Sequence, residues 1–237
     1  LEAAGDAFFH SLSIGADYKD ITESVDGTDT PIAYTNLSGN YTFGWNWPKY
    51  RSSYYATVNA GANGLGNEQQ EFGDKRFKAQ SNYFYVNLGM EQLVNTLGGV
   101  GLFLRVNGQA TSQPLINNEQ FAVGGAMSVR GYLEAEELGD FGAFANVEVR
   151  SPNIGPWLWN GLESLSLHAF YDYASLGLND VLPGQNASVD LDSYGFGFRL
   201  VATSGLVLSL DWADPLEDAT TTAAGDTRTH FIFRWNF

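Results

Sequence analysis

The chain has 237 residues, a formal net charge of −15 and no cysteine. Without cysteine it has no disulfides, thiolate metal ligands or thiol nucleophile, and its negative charge argues against a nucleic-acid partner, which requires clustered Lys and Arg. No apolar run approaches the roughly eighteen residues of a transmembrane helix. No signal peptide opens the chain, so an exported protein would carry its signal upstream or have lost it. Neither a metal nor a cofactor is expected.

Alternation of apolar and polar residues is the dominant pattern, and it places alternate side chains on opposite faces of a strand. Within 141–150, Phe141, Ala145 and Val149 fall on one face, whereas Asn146 falls on the other. The pattern predicts ten strands, at 8–19, 32–47, 53–65, 77–95, 100–113, 141–153, 162–177, 189–203, 206–216 and 227–237.

The predicted connections are of two lengths. Tight turns fall at 48–51, 96–99 and 204–205, and long polar loops fall at 24–30, 66–76, 116–140, 179–188 and 218–226. Outer-membrane barrels have short periplasmic turns at one end and long loops at the other. The sequence therefore predicts an all-β fold, an antiparallel transmembrane β-barrel with about ten strands in this chain.

A soluble all-β protein is the alternative, with its apolar face buried and its polar face in water. The aromatic residues favour the membrane barrel because they gather at strand ends, as Trp45 and Trp47 do, where rings form an interfacial girdle. The last strand ends on alternating aromatic residues, Phe233, Trp235 and Phe237, which resemble the C-terminal signal recognised by the barrel-assembly machinery.

The segment 115–140 is the longest one that does not alternate, and it is rich in glycine and acidic residues. We expect it to fold into the lumen, where Arg130 would require a carboxylate partner because an unpaired buried charge is very costly. Asp172 is the favoured partner because it faces inward soon after the loop. The other inward-facing acids are Glu148, Asp211 and Glu91. The alternative is an exposed loop arginine without a partner.

The phrase at 121–132, with Val129-Arg130-Gly131-Tyr132 at its core, resembles the loop-six signature of the BamA-like outer-membrane assembly and secretion superfamily. Flanking phrases resemble one branch, the TpsB transporters of two-partner secretion (ShlB/FhaC/HecB). These phrases lie at 15–20, 31–34, 108–121, 139–142 and 147–152, so the resemblance covers essentially the whole chain.

In this superfamily the loop arginine contacts the aspartate of a Phe-x-Asp motif on the inner wall, and Phe170-Tyr171-Asp172 matches that motif. Ala174 departs from the glycine that usually lies two residues after the aspartate. The resemblance thus implies a loop-lock or gating site, and strand parity selects the same aspartate. Its residues would be Val129, Arg130, Gly131, Tyr132, Phe170 and Asp172.

The resemblance also implies parts beyond this chain, because family members carry periplasmic POTRA domains before a sixteen-stranded barrel. The signature loop joins strands eleven and twelve in that scheme. Five predicted strands precede the loop here and five follow it. The whole of 1–237 is therefore expected to be one outer-membrane barrel domain without POTRA domains, either strands seven to sixteen of the full barrel or a shortened barrel.

The leading hypothesis for function is a protein translocation pore without catalysis, located in the outer membrane of a Gram-negative bacterium. It would export, or help insert, an unfolded β-rich partner protein, with loop 115–140 as plug or gate. Its partners would be outer-membrane lipid, the secreted protein and, during biogenesis, the barrel-assembly machinery. The predicted lumen-lining residues are Arg105, Asn107, Gln109, Asn146, Glu148, Arg150, Arg199 and Asp211.

Two other classes of function remain open. A passive diffusion porin would line its pore with polar side chains, including Asn36 and Asn59. An outer-membrane enzyme would draw on the histidines and on a loose Ser/His/Asp set, although same-face neighbours on one strand lie about 6–7 Å apart, too far for a nucleophile to bond its base. The residues of that hypothesis are His10, His168, His230, Ser166 and Asp172.

Overall fold

A computed structural model of the chain describes residues 8–25, 28–96 and 98–236. Strands dominate these residues because the alternating sequence gives each strand one apolar and one polar face. The strands are β1 Phe8–Val25, β2 Thr28–Trp47, β3 Tyr50–Gly61, β4 Phe84–Asn95, β5 Gly101–Ala110, β6 Phe121–Val123, β7 Glu137–Gly139, β8 Phe141–Arg150, β9 Leu162–Gly177, β10 Ser188–Ala202, β11 Leu206–Pro215 and β12 Arg228–Trp235. Two short helices, α1 Gln69–Lys75 and α2 Gly155–Leu158, and a 3₁₀ turn at Asn117–Glu119 lie between them.

Ten of these strands form one antiparallel sheet in the order β1-β2-β3-β4-β5-β8-β9-β10-β11-β12. Sequence neighbours pair throughout, except that β5 pairs with β8 across the loop that contains β6 and β7. Those two short strands pair only with each other. Within the described residues, β1 and β12 each have one neighbour in the sheet. The prediction of ten antiparallel strands is confirmed.

The two faces of the sheet differ in chemistry, as the alternation predicts. One face is apolar and exposed, with Leu167, Tyr171, Phe196 and Phe233 among its side chains. The opposite face carries buried polar and charged residues, including Asn146, Glu148, Asp172 and Ser193. We call this second face the inner wall, because the loop between β5 and β8 lies on it. A polar interior and an apolar exterior are the arrangement of membrane barrels.

Two details of the predicted connections are wrong. The long loop predicted at 24–30 belongs mostly to strands, because β1 and β2 stay paired as far as Val25 and Thr28. The strand predicted at 77–95 begins only at Phe84, because the preceding segment contains α1 and turns that fold over the end of the sheet. Phe72 of α1 is buried there with Tyr34, Tyr83 and Leu115. This apolar cluster diverts the chain from the sheet although its local pattern alternates.

No helix among the described residues is long and apolar enough to cross a bilayer.

Candidate functional site

The loop between β5 and β8 folds back on the inner wall as a compact unit. The β6–β7 hairpin holds it together, with Phe121 opposite Gly139 and Val123 opposite Glu137. Its tip turns at Gly124, where φ is +107° and an added Cβ would lie 2.4 Å from the carbonyl oxygen of Leu133. Only glycine fits such a position without strain. The loop is thereby closed tightly enough to bury Arg130, which is 3% exposed.

Arg130 binds the wall through a two-pronged contact with Asp172 of β9. Its Nε lies 2.7 Å from Asp172 Oδ2, and its Nη2 lies 2.8 Å from Asp172 Oδ1. The Arg130 backbone N–H donates to the same carboxylate at 3.1 Å. The guanidinium also stacks on Phe170, 3.4 Å from the ring centroid. The structure thus brings together the loop arginine and both named residues of the Phe-x-Asp motif, in the bidentate geometry that makes such pairs strong.

A second carboxylate, Glu148 of β8, completes the charge balance around the guanidinium. It accepts from Arg130 Nη1 at 2.9 Å, and it also binds Arg150 and Arg199 at 2.8 and 2.9 Å. Asp211 lies 3.7 Å from Arg130 Nη1. Three arginines therefore face three acids, Asp172, Glu148 and Asp211, in one cluster on the inner wall. Such pairing is what a charge removed from water requires.

The residues after Arg130 extend the contact to the last strands. Gly131 N–H donates to His230 Nε2 on β12 at 3.0 Å, and the Tyr132 hydroxyl lies 2.9 Å from the carbonyl oxygen of Asp192 on β10. Tyr132 is fully buried, and Val129 packs in the same apolar cluster with Leu191. The four-residue motif thus contacts β8, β9, β10 and β12, so it holds one side of the sheet in place.

A separate ion pair holds the neck of the loop, which is the place where its two ends, Leu115 and Asp140, meet. Asp140 is fully buried and bound in a bidentate manner by Arg76, with Nη2 at 2.7 Å from Oδ2. The same carboxylate accepts from the backbone N–H groups of Leu115 and Asn179 at 2.9 and 2.6 Å. Asp140 therefore joins both ends of loop 115–140 to the segment after α1 and to the β9–β10 loop.

Glu119 forms a third anchor near the neck. This buried carboxylate accepts from the hydroxyls of Tyr34 and Tyr85, each at 2.6 Å, and from Lys19 Nζ at 2.5 Å. Sequence reasoning did not select Glu119, Arg76 or Asp140. The available signals were two phrases of the family resemblance, 108–121 for Glu119 and 139–142 for Asp140, but their partners lie on other loops and strands.

The outer part of the loop contacts the β11–β12 loop through Glu136. Its carboxylate accepts from the backbone N–H groups of Thr221 and Thr222 at 2.8 and 2.5 Å and from the Thr222 hydroxyl at 2.7 Å. Burial opposes ionisation, but the hydrogen bonds from Thr222 and Leu133 outweigh it and lower the pKa of Glu136 below its ordinary value. The carboxylate form is thus the one that holds the two loops together.

Polar side chains also run across β2 to β5 as a chain of amide hydrogen bonds, here called the amide ladder. Asn36 donates to Asn59 at 3.2 Å, Asn59 to Asn87 at 3.0 Å, and Asn87 to Gln109 at 2.8 Å. Gln109 then donates to the carbonyl oxygens of Glu119 and Asp140 at 3.1 and 3.0 Å. The ladder therefore ends on the loop and links it to the first strands.

All the predicted lumen-lining residues lie on the inner wall, although they do not form one group. Glu148, Arg150, Arg199 and Asp211 belong to the cluster around Arg130, and Gln109 belongs to the amide ladder. Asn146 and Arg105 donate to loop carbonyl oxygens, and Asn107 accepts from Tyr55. Phe233 and Trp235 are exposed on the opposite face of β12. Phe237, predicted as part of an assembly signal, lies outside the described residues.

The geometry does not assemble the Ser/His/Asp set. His168 Nε2 contacts Asp211 at 2.5 Å, and Asp172 is engaged by Arg130. His10 stacks on Phe8, on the face opposite the inner wall. Two of the side chains assigned to a porin lining, Asn36 and Asn59, are buried in the amide ladder.

The fold is similar to that of a solved structure, CdiB from Escherichia coli. CdiB from Escherichia coli aligns with a TM-score of 0.77 and 16% sequence identity, over 98% of this chain and 42% of that chain. CdiB from Acinetobacter baumannii aligns with a TM-score of 0.47 and 17% identity, over 94% of this chain and 47% of that chain. The chain thus spans less than half the length of these structures. Among curated proteins, no sequence matches significantly.

A family model described as haemolysin secretion/activation protein ShlB/FhaC/HecB matches residues 9–200. This match covers most of the chain and includes the loop, the Phe-x-Asp strand and most of the inner wall. The chain belongs to the ShlB/FhaC/HecB family, the TpsB β-barrel transporters of two-partner secretion.

Proposed function

We propose that the chain forms part of an outer-membrane pore that exports, or helps insert, an unfolded β-rich partner protein, and that loop 115–140 is the plug of this pore. The buried contact of Arg130 with Asp172 carries the proposal, because it fixes a long glycine-rich loop against a polar wall. A loop with only a structural role could be held against the wall equally well by apolar contacts, without a cluster of three arginines and three acids.

The charged contact between Arg130 and the inner wall is compatible with a plug that moves away from the wall. Apolar surface exposed by a moving loop stays unfavourable in water, whereas separated carboxylates and guanidiniums are hydrated. A cavity of about 500 Å³ already lies between the loop and β3 to β5, lined by Tyr55, Arg105, Met127 and other residues. We take this space as the start of the path that widens when the loop moves.

Crosslinking tests whether the loop must move. Asn146 on the wall donates to the backbone carbonyl of Ser128 on the loop, and this chain has no cysteine. In the full-length protein without other cysteines, a Ser128→Cys/Asn146→Cys pair would be joined by a short, cleavable thiol crosslinker. We expect secretion of the partner to stop on crosslinking and to resume on cleavage. Undiminished secretion by the crosslinked pore would contradict gating by this loop.

Substitution tests the lock itself. Arg130→Ala and Asp172→Ala should each lower both partner secretion and the temperature at which the folded barrel unfolds, because each leaves a buried charge without its partner. Lys78→Ala is the matched control, since its ion pair with Asp180 is exposed, with side chains 55% and 39% accessible. Normal secretion and stability in both Arg130→Ala and Asp172→Ala would contradict the proposal.

Conductance separates the plugged transporter from a diffusion channel. Deleting 117–138 should raise single-channel conductance sharply if the loop fills the lumen, and should barely change it in a simple porin. The burial of Asn36, Asn59 and Gln109 within the amide ladder favours the transporter, because a porin presents such groups to water. The family itself is a secretion family, so no catalytic step is proposed.

A further inference from the structure

The connection between β8 and β9 stands apart from the other connections at its end of the sheet. Two other connections at that end are tight, at 48–49 and 203–205, whereas 151–161 is long and contains α2. Three consecutive large apolar side chains in this connection are strongly exposed: Trp157 by 81%, Leu158 by 64% and Trp159 by 65%. Such a cluster is unusual on a surface that meets only water.

The β8–β9 connection has a defined conformation, which is held by hydrogen bonds to β9. The Asn153 side-chain oxygen accepts from the backbone N–H groups of Gly155 and Leu165, each at 3.0 Å. Ile154 N–H donates to the carbonyl oxygen of Leu165 at 2.9 Å. Gly155 approaches β9 so closely that an added Cβ would lie 2.7 Å from Leu165 N. The exposure of Trp157 to Trp159 is therefore fixed by the fold.

The cluster lies at the end of the β8–β9 hairpin, whose outer face is apolar. Val147 and Val149 of β8 and Leu167 of β9 are about half exposed on that face, which meets hydrocarbon in a membrane barrel. The connection lies where that face ends, at the end with the short turns. Tryptophan is enriched at this boundary because its ring is apolar and its N–H is polar.

The absence of charged residues in this connection indicates which lipid headgroups it would contact. No Asp, Glu, Lys or Arg occurs from 151 to 162, and recognition of anionic headgroups relies on clustered basic side chains. We propose that Trp157, Leu158 and Trp159 form a membrane anchor that inserts into the periplasmic leaflet at the boundary between headgroups and acyl chains, and that it takes zwitterionic phospholipid. This inference rests on the proposed outer-membrane location of the chain. The anchor would fix the height and tilt of β8 and β9, the two strands that carry Glu148 and Asp172.

Depth-dependent quenching tests the anchor. The full-length protein, without other cysteines, would be reconstituted in phosphatidylethanolamine–phosphatidylcholine vesicles with a fluorophore on a single cysteine. Three labelled variants are needed: Leu158→Cys in the anchor, Leu167→Cys on the outer face, and Asn186→Cys in a loop at the opposite end. We expect quenching at 158 by lipids with a nitroxide near the headgroup, quenching at 167 by lipids with a deeper nitroxide, and quenching at 186 by aqueous iodide alone.

The outcomes distinguish the anchor from the membrane location. Quenching at 158 by iodide alone, or by neither reagent, would overturn the anchor, the second result indicating a protein cover. Quenching of 167 by iodide alone would instead contradict the outer-membrane location on which the inference rests. Added phosphatidylglycerol should leave the signal at 158 unchanged, and a marked gain would overturn the preference for zwitterionic lipid.

A second measurement reads the effect on stability. Trp157→Gln/Trp159→Gln should lower the unfolding temperature in vesicles more than in detergent micelles, because a micelle adapts its shape to the protein. Val181→Gln/Leu182→Gln, which removes exposed apolar side chains at the opposite end, is the matched control and should show no such difference. An equal loss in vesicles and micelles would mean that the tryptophans act only within the protein.

Discussion

Arg130 makes three kinds of contact that no other type of amino-acid side chain could make together. It forms two parallel hydrogen bonds with Asp172, a third bond with Glu148 and a stacking contact with Phe170. A guanidinium presents a planar fork of donors, whereas an ammonium group is a compact, strongly hydrated point charge. The geometry of the site, rather than its net charge, therefore specifies arginine.

Arg130→Lys keeps the charge and removes this geometry. We expect a loss of about 2 kcal/mol in the free energy of unfolding, on the order of one charged hydrogen bond and smaller than the ~3–5 kcal/mol expected for Arg130→Ala. Urea unfolding in vesicles would measure both. A double-mutant cycle with Asp172→Ala serves as the control, and additive losses would show that the two residues are not coupled.

Glu136 makes the contact between two outer loops depend on pH. Its folded pKa lies below the ordinary value of 4.5, so its stabilising contribution is complete above that value and is lost as the pH falls through the folded pKa. Glu136→Gln should therefore lower the unfolding temperature at pH 7, and the difference from the unmodified chain should vanish at strongly acidic pH. Amide exchange of Thr221 and Thr222 would report the same opening. A difference that persists in acid would contradict the role of the carboxylate.

At the scale of elements, loop 115–140 is held at its tip and at its neck by independent ion pairs. The tip binds β8 and β9 through Arg130, whereas the neck binds the segment after α1 through Asp140 and Arg76. Both ends of the loop meet at one buried carboxylate, Asp140, so in the proposed gating the tip would leave the wall while the neck stays closed. This division makes the neck a hinge in the proposed gating.

Asp140→Asn tests the neck. The change leaves Arg76 without a charged partner, and we expect a loss of about 3–5 kcal/mol in the free energy of unfolding, together with faster proteolysis of 62–83 and 178–187. Arg130 should keep its contacts, because it binds other strands. The exposed pair of Lys78 with Asp180 again gives the control, Lys78→Ala, which should change cleavage little. Unchanged proteolysis in Asp140→Asn would show that the neck is held by other contacts.

At the scale of the whole molecule, the loop joins two differently built parts of the inner wall. The amide ladder crosses β2 to β5, and the arginine and acid cluster lies on β8 to β11. Gln109 connects the ladder to the neck, and Arg130 connects the tip to the charged cluster. Amide pairs and ion pairs across neighbouring strands also fix strand register, because a shift by one residue would turn every one of them to the lipid face.

Asn59→Ala interrupts the ladder in its middle. The variant leaves the Asn36 donor and the Asn87 acceptor without their partners, so we expect a loss of about 1–3 kcal/mol in the free energy of unfolding. The exposed Asn160 offers a matched control, because Asn160→Ala removes an amide outside the ladder. Equal stability of the two variants would mean that water satisfies the ladder's groups.

Much of the fold was predictable because the strand signal is local. Alternation with period two indicates which residues share a face of a strand. The ten strands and the inward position of Asp172, Glu148 and Asp211 therefore follow from the sequence. The strand predicted at 77–95 begins only at Phe84, because contacts between distant residues outweigh the local signal before it. Its local pattern alternates, but burial of Phe72 and Tyr83 against β2 and the loop stabilises a folded cap there.

The sequence by itself determined the alternating faces, the central loop and the family motif that contains Arg130. Only the tertiary structure decided that Glu148 shares the guanidinium, that Arg76 closes the neck through Asp140, and that Asn36 to Gln109 form a ladder. These contacts join residues that are distant in the chain, 64 positions apart for Arg76 and Asp140. Strand parity names the side chains that face inward, but the register of ten strands and the path of the loop determine which of them meet.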